Sequence, residues 1–252
     1  MNNKQLFTYL LSKKIYIISP HFDDAILSAG MLMTALQGKA DITVINVFTK
    51  AHEGPYTLSA KQFLKAAGYT DAVKMYKERR EHDNTALALV GAKHVDLNFT
   101  DALFRKKKHR SFAGKFMAEF DHVYPTYRWH ILKFNVSKDQ ILRDLETKLR
   151  RILPEDALVI APFGIGNHAD HVLTRKAVEN ITGNIAYYVD FPYNLRLHTE
   201  GKAPEGFGLV SFPVDLNLKT QLIAAYESQV DGLFPRGIIP KHKELFYIGR
   251  NK

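Results

Sequence analysis

The chain has 252 residues, 46% of them hydrophobic and 24% charged, with no cysteine and a formal net charge of +9. Without cysteine there is no disulfide scaffold, no thiolate zinc site and no thiol nucleophile, so any metal must be held by His, Asp or Glu. The positive balance admits nucleic acid, an anionic membrane surface or an anionic small molecule as partner and by itself selects none of them.

The first apolar stretch, Leu6 to Leu11, is short, and Lys13 and Lys14 follow it, which does not fit a secretory leader. No run approaches the length that spans a bilayer, so the expected compartment is the cytoplasm. Ile15-Tyr16-Ile17-Ile18 is β-branched and aromatic, ends at Ser19-Pro20 and reads as a buried strand. Apolar residues then recur at Ile26, Leu27, Met31, Leu32 and Leu36, the spacing of an amphipathic helix. Ile42 to Phe48 is a second strand, and strand–helix–strand of this kind favours parallel pairing. Tyr76 to Val90 reads as a helix stopped by Gly91, and Val95 to Phe99 as a third strand.

Residues 100–135 are basic, aromatic and irregular, the character of a binding loop or lid. Periodicity returns with a helix over Ser137 to Ile152, opened by a Ser cap. A strand over Ala157 to Ile160 follows, then a glycine loop at Gly164 and Gly166. A helix over Asp170 to Asn180 and a strand over Ile185 to Val189 come next. Val210 to Val214 reads as a late edge strand and Leu216 to Gln229 as one last long helix. The alternation predicts a Rossmann-like three-layer α/β/α sandwich around a mostly parallel sheet. With no repeat and no low-complexity linker, 1–252 is expected to be a single domain with an insertion around 100–135.

Two polar clusters stand directly after two of the predicted strands, where open α/β sheets bind ligands. They are Pro20-His21-Phe22-Asp23-Asp24 and Asn167-His168-Ala169-Asp170-His171. Taken alone, Asp23 and Asp24 would serve as helix caps and a single His as a surface residue. Together the clusters offer two imidazoles and a carboxylate to a divalent cation, with one Asp to spare as general base.

The first cluster resembles the Pro-His-Pro-Asp-Asp signature of the PIG-L/LmbE family of zinc-dependent N-acetylglucosaminyl-type deacetylases. His168-Ala169-Asp170-His171 resembles its second signature, His-x-Asp-His, and the likeness runs from about Lys14 to Val189. It implies one Zn2+ on His21, Asp24 and His171, with Asp23 as general base. It also implies His168 as general acid or oxyanion stabiliser and Asp170 as the residue orienting a neighbouring His. The implied reaction is hydrolysis of the N-acetyl group of an amino sugar or glycoconjugate, releasing acetate and a free amine. Phe22 stands where the signature has Pro, and Ala25 where Glu is common, which marks a divergent branch in substrate rather than chemistry.

Arg79-Arg80 falls where relatives carry a substrate-binding Arg, and Arg80 is the preferred candidate. Arg105, at the head of the run Arg105-Lys106-Lys107-Lys108-His109-Arg110, and Tyr193, after the strand ending at Val189, complete the substrate set. Asp101 and Asp190, at the same sheet end, are expected to line the pocket. The basic run points to an anionic conjugate as the small-molecule substrate.

Two alternatives remain beside this reading. The same donor set suits Fe2+ and hence a non-haem iron enzyme, although that chemistry usually sits on a β-barrel. A non-catalytic nucleotide- or nucleic-acid-binding Rossmann-like module would need a Gly-rich loop after the first strand, where paired acids stand instead and would repel phosphate. Nothing in the sequence sets an oligomeric state.

Overall fold

The computed structural model describes residues 8–108, 111–133 and 141–249. Its centre is a seven-stranded sheet built from β1 (Ile15–Ser19), β2 (Ile42–Asn46), β3 (Lys93–Asp96), β4 (Leu158–Pro162), β5 (Ile185–Tyr188), β6 (Phe207–Phe212) and β7 (Glu244–Gly249). The order across the sheet is β3-β2-β1-β4-β5-β7-β6. The pairings from β3 through β5 are parallel, and those of β7 with β5 and β6 are antiparallel. β4 and β5 are buried along their whole length, as central parallel strands covered on both faces must be.

Alternate residues of each strand feed two separate cores, because successive side chains point to opposite faces. Ile15, Ile17, Val44, Leu158 and Ile160 pack with Ile26, Leu32 and Met33 of α1 (Asp24–Leu36) on one face. Ile18, Ile45, Val159 and Ala161 pack on the other with Leu145 and Leu149 of α4 (Ile141–Ile152) and Leu173 and Ala177 of α5 (Ala169–Glu179). These are the three layers the alternation predicts. No helix among the described residues is long and apolar enough to cross a membrane.

Several elements depart from the sequence reading. A helix α2 (Leu58–Ala66), capped by Thr57, precedes α3 (Ala72–Leu89), which starts at Ala72 and not at Tyr76 because Asp71 accepts the Lys74 N–H at 2.7 Å as its cap. β3 ends at Asp96, earlier than expected. Leu97 and Phe99 still donate to Asn46 and Val47, but Asn98, at φ 60°, breaks the ladder between them. The Ser cap proposed at Ser137 lies outside the described residues. Among them, 100–135 holds short helical turns, at Ala102–Phe104, Ala113–Lys115, Ala118–Phe120 and Tyr127–Ile131, and isolated bridges of Thr100 to Lys50 and of Lys106 to His122.

A short helix α6 (Tyr193–Arg196) follows β5. The predicted last helix is two, α7 (Leu216–Ala224) and α8 (Glu227–Leu233). The break lets Tyr226 turn inward, where its ring is fully buried and its hydroxyl donates to Asp83 at 2.7 Å. β6 is the edge strand expected over 210–214, begun three residues earlier, and β7 beside it was not anticipated.

α1 is buried on every side from Asp24 to Met33. A side chain at Gly30 would stand 3.1 Å from Leu222 of α7, so that position sets the closeness of the two helices. In the middle of α1, the N–H groups of Met31 and Leu32 donate to the two carboxylate oxygens of Glu244 at 2.8 and 3.0 Å. Lys219 of α7 binds the same carboxylate and donates to the Ile26 carbonyl at 3.0 Å. A buried ion pair from the last strand and the penultimate helix thus enters the backbone of the first helix.

Candidate active site

β1 delivers the chain to the carboxyl edge of the sheet at the point where its neighbours, β2 and β4, run out to opposite sides. Ser19 fixes the exit: its hydroxyl donates to the His21 carbonyl at 2.6 Å and accepts the Ala25 N–H at 3.0 Å. Neither acid that follows acts as an ordinary cap. Asp23 occupies the N-cap position at φ 110° without a side-chain cap bond, a strained conformation for a residue with a side chain. Asp24 turns back to accept the His21 N–H at 2.9 Å.

After β4 the loop turns through Gly164, Gly166 and Asn167, all at positive φ, and α5 opens with His168 as N-cap. This brings the second cluster onto the first. Asp24 Oδ2 is 3.3 Å from His21 Nδ1 and 3.3 Å from His171 Nε2. His171 Nε2 is buried and has no hydrogen-bond partner.

Those three atoms fit a cation. Two ligands about 2.0–2.1 Å from one zinc at a near-tetrahedral angle stand about 3.3 Å apart. Each outer nitrogen is tied down in the manner of metal-bound imidazoles. His171 Nδ1 meets Asp190 Oδ1 at 2.7 Å, and His21 Nε2 meets Asp170 Oδ2 at 3.1 Å and Asp101 Oδ2 at 3.4 Å. Asp190 is itself held by the N–H groups of Gly164 and Ile165 at 2.7 and 2.9 Å. A second grouping, His21, His168 and Asp170, is also close enough to be considered. It fits a cation poorly, because Arg105 occupies one Asp170 oxygen and His21 with the Ala102 N–H the other.

The electrostatics follow from burial among these charges. Burial alone would lower the His21 pKa, but the hydrogen bonds to Asp170 and Asp24 outweigh it and raise it to about 9. Burial likewise opposes the charge of His171, yet Asp24 and Asp190 raise it well above the ordinary value. For Asp24, burial is outweighed by His171 and His21, which hold it below the carboxylate range. Burial and then the Asp24 charge push Asp23 up to about 7, with Arg79 opposing. His168 goes the other way: burial first, then His21 and His171, lower it to about 3. His168 is therefore a neutral imidazole, and its Nδ1 accepts the Asp170 N–H at 3.3 Å, which leaves the proton on Nε2.

The expected substrate residues divide. Arg80 faces away, bound to Asp96 at 2.7 Å and Asn98 at 3.0 Å. Its neighbour Arg79 reaches the cluster instead, 3.6 Å from Asp23 Oδ2 and donating to the Phe22 carbonyl at 3.3 Å. Consecutive helical residues point about 100° apart, so only one of the two arginines can meet the site. Arg105 is 5% exposed and spent on Asp170 and the Thr100 carbonyl, so it supports Asp170 and is not a grip on a solvent-side anion. Tyr193 does border the site, its ring edge-on to His171 with centroids 5.8 Å apart. Asp101 and Asp190, expected only as lining, are the direct partners of the two histidines. Tyr76, whose hydroxyl donates to Asp101 at 2.5 Å, carried no sequence signal beyond its place on α3.

The family model described as PIG-L, GlcNAc-PI de-N-acetylase, matches residues 16–182, more than half of the chain. A 2'-N-acetylparomamine deacetylase of Streptomyces fradiae is 28% identical over 228 residues, covering 85% of this chain and 73% of that one. A protein of the same description from Niallia circulans is 26% identical over 259 residues, covering 92% and 89%. Among solved structures, the zinc inhibited form of a teicoplanin deacetylase superposes with a TM-score of 0.72 at 23% identity, covering 92% of this chain and 96% of that one, and shares the fold.

Proposed function

This chain belongs to the PIG-L family, and from that membership we propose that it hydrolyses the N-acetyl group of an N-acetylated amino sugar with one divalent cation on His21, Asp24 and His171. The observation that carries the reading is the placement of Asp24 Oδ2 3.3 Å from a nitrogen of each histidine, with His171 Nε2 buried and unpartnered. Zinc is the ion of choice for such a donor set, and Fe2+ suits it as well. When bound, the cation supplies Lewis acidity to the attacking water and the acetyl carbonyl.

The protein's own groups perform the remaining work. Asp23, next to Asp24 at the mouth of α1, takes a proton from water as its oxygen bonds to the acetyl carbon. Arg79 beside it steadies the carboxylate and keeps it turned into the site. His168 donates its Nε2 proton in a hydrogen bond to the developing oxyanion, as a neutral imidazole and not as an acid. When the C–N bond breaks, Asp23 returns its proton to the leaving amine, and acetate and the free amino sugar depart. Asp170 holds His21, and Asp190 holds His171, in the orientation the ion requires.

The relatives described as acting on N-acetylparomamine and teicoplanin support an amino sugar carried on a larger aglycone as the substrate class. On the side of α3 to which Arg80 turns, a groove of about 710 Å³ is lined by Lys50, Lys77, Arg80 and Lys106 together with Glu53 and Tyr76, and its basic excess supports an anionic group on that aglycone. The test is a panel of N-acetylated amino sugars, neutral and phosphorylated, assayed for acetate release with and without chelator. Chelator-sensitive release is expected. No release from any member would overturn the reading, and equal turnover of neutral and phosphorylated sugars would overturn the anionic preference.

A further inference from the structure

The irregular chain after β3 meets the site at Asp101, Ala102 and Arg105 and again at the turn Tyr127–Ile131. The turn Tyr127–Ile131 is anchored on the protein by Ile131, which is fully buried, and by the Tyr127 N–H, which donates to Ser59 Oγ at 3.2 Å. That anchorage sets the Tyr127 ring 6.0 Å from the His168 ring, centroid to centroid. From the opposite direction in sequence, Tyr193 at the start of α6 sets its ring 5.8 Å from His171. The rings of His168 and His171 are 5.5 Å apart, so the two tyrosines flank adjacent histidines of one site. Tyr127 and Asp24 both lie near enough to the Tyr193 hydroxyl to act on it electrostatically.

Their hydroxyls differ from those of most tyrosines in the molecule. Tyr76 donates to Asp101, Tyr188 to the Ile18 carbonyl, Tyr226 to Asp83 and Tyr187 to Glu179. Enclosed tyrosines ordinarily find such a partner. Among the described residues, the hydroxyls of Tyr127 and Tyr193 have none, although both rings lie against catalytic histidines. Tyr193 is half-buried, and Tyr127 is 37% exposed at the rim.

We propose that Tyr127 is a specificity-determining residue that, with Tyr193, clamps the pyranose ring of the substrate and makes the turn Tyr127–Ile131 the reader of the sugar. An amino sugar offers both things this pair can hold. Its axial C–H face suits an aromatic ring, and its ring hydroxyls suit a phenol without a partner. The clamp grips the ring and not the acetyl group, so it acts on the ground state and the transition state alike. Losing it raises KM and leaves kcat in place. The reading of the site as an amino-sugar deacetylase is the premise here, and the experiment separates the two.

Tyr127→Phe and Tyr127→Ala are compared with wild type for KM and kcat on the N-acetylated amino sugar that wild type turns over best. Thermal melting and metal content serve as controls for folding. Loss of one hydrogen bond predicts a KM increase of about fivefold for Tyr127→Phe. Removal of the ring as well predicts about tenfold or more for Tyr127→Ala, with kcat within about twofold of wild type in both. Unchanged KM in both variants overturns the clamp, and so does a fall in kcat at constant KM. Tyr127→Phe keeps the packing, so it decides the matter if Tyr127→Ala fails to fold. If wild type releases no acetate from any sugar in the panel, the deacetylase reading fails by itself. The clamp is then read by saturation-transfer NMR with free glucosamine as probe. Transfer in wild type that disappears in the variants supports it, and transfer that is absent or identical in all overturns it.

Discussion

Asp190→Asn is the change that tests the site from its outer side. Asp190 receives three N–H groups: His171 Nδ1 at 2.7 Å on one oxygen, and Gly164 and Ile165 at 2.7 and 2.9 Å on the other. An amide has one oxygen and one NH2, so whichever way Asn turns, a donor meets a donor. If the amide oxygen stays with the two backbone groups, His171 loses its partner and is free to rotate or to carry its proton on the nitrogen that must face the ion. Loss of a charge-assisted hydrogen bond is worth about 1.5–3 kcal/mol, which corresponds to roughly 10- to 150-fold in an equilibrium constant. The upper part of that range is reduced by water taking the vacated position. Zinc affinity, measured by competition with a chromophoric chelator, should therefore fall by about 10- to 100-fold. Acetate release should recover substantially at saturating zinc, because Asp23 and His168 are untouched. A zinc affinity within twofold of wild type would refute the claim that Asp190 sets the orientation of a metal-binding His171.

Asp23→Ala should abolish acetate release while zinc still binds with near wild-type stoichiometry, and His171→Ala should lose both, as read by turnover and by metal analysis after dialysis. Burial pushes the Asp83 carboxyl up to about 6 despite its bonds to Tyr226 and Asn46. An unfolded Asp titrates near about 4, so the folded state holds the proton over that window and stability is greatest below it. Stability should then fall by about 2 kcal/mol as pH rises from about 4 to about 6, a component that Asp83→Asn should remove from urea-unfolding curves taken across that range. Lys219→Met leaves Glu244 without its cation in the interior and should cost about 3 kcal/mol, whereas pairing it with Glu244→Gln should recover part of the loss in a double-mutant cycle.

The sequence was most readable where chain-local patterns decide the structure. The run Ile15 to Ile18 could only be a buried strand, and a His–carboxylate cluster after such a strand has a position as well as a composition. The same holds for His168 to His171 after β4. What stayed hidden depends on partners far away in the chain. Arg79 and Arg80 are indistinguishable as neighbours, and only the rotation of α3 against β1 sends one to Asp23 and the other to Asp96. The pattern from Leu216 to Gln229 is continuous, and the break in it exists because Tyr226 has Asp83 to reach, 143 residues away. Arg105 reads as surface charge until Asp170 is seen to need it. β7 opens with a glutamate, an unpromising start for an inner strand, because Lys219 and α1 neutralise it there.

The entry of Glu244 into α1 has a consequence for how the molecule is made. The Met31 and Leu32 N–H groups of the helix that presents Asp24 complete their contacts only with a residue 213 and 212 positions further along the chain. A ribosome releases that residue long after α1 has emerged. The nascent protein therefore carries Asp23 and Asp24 early but sets α1 in its final packing late. Deleting β7 would accordingly loosen α1 and with it the placement of Asp24.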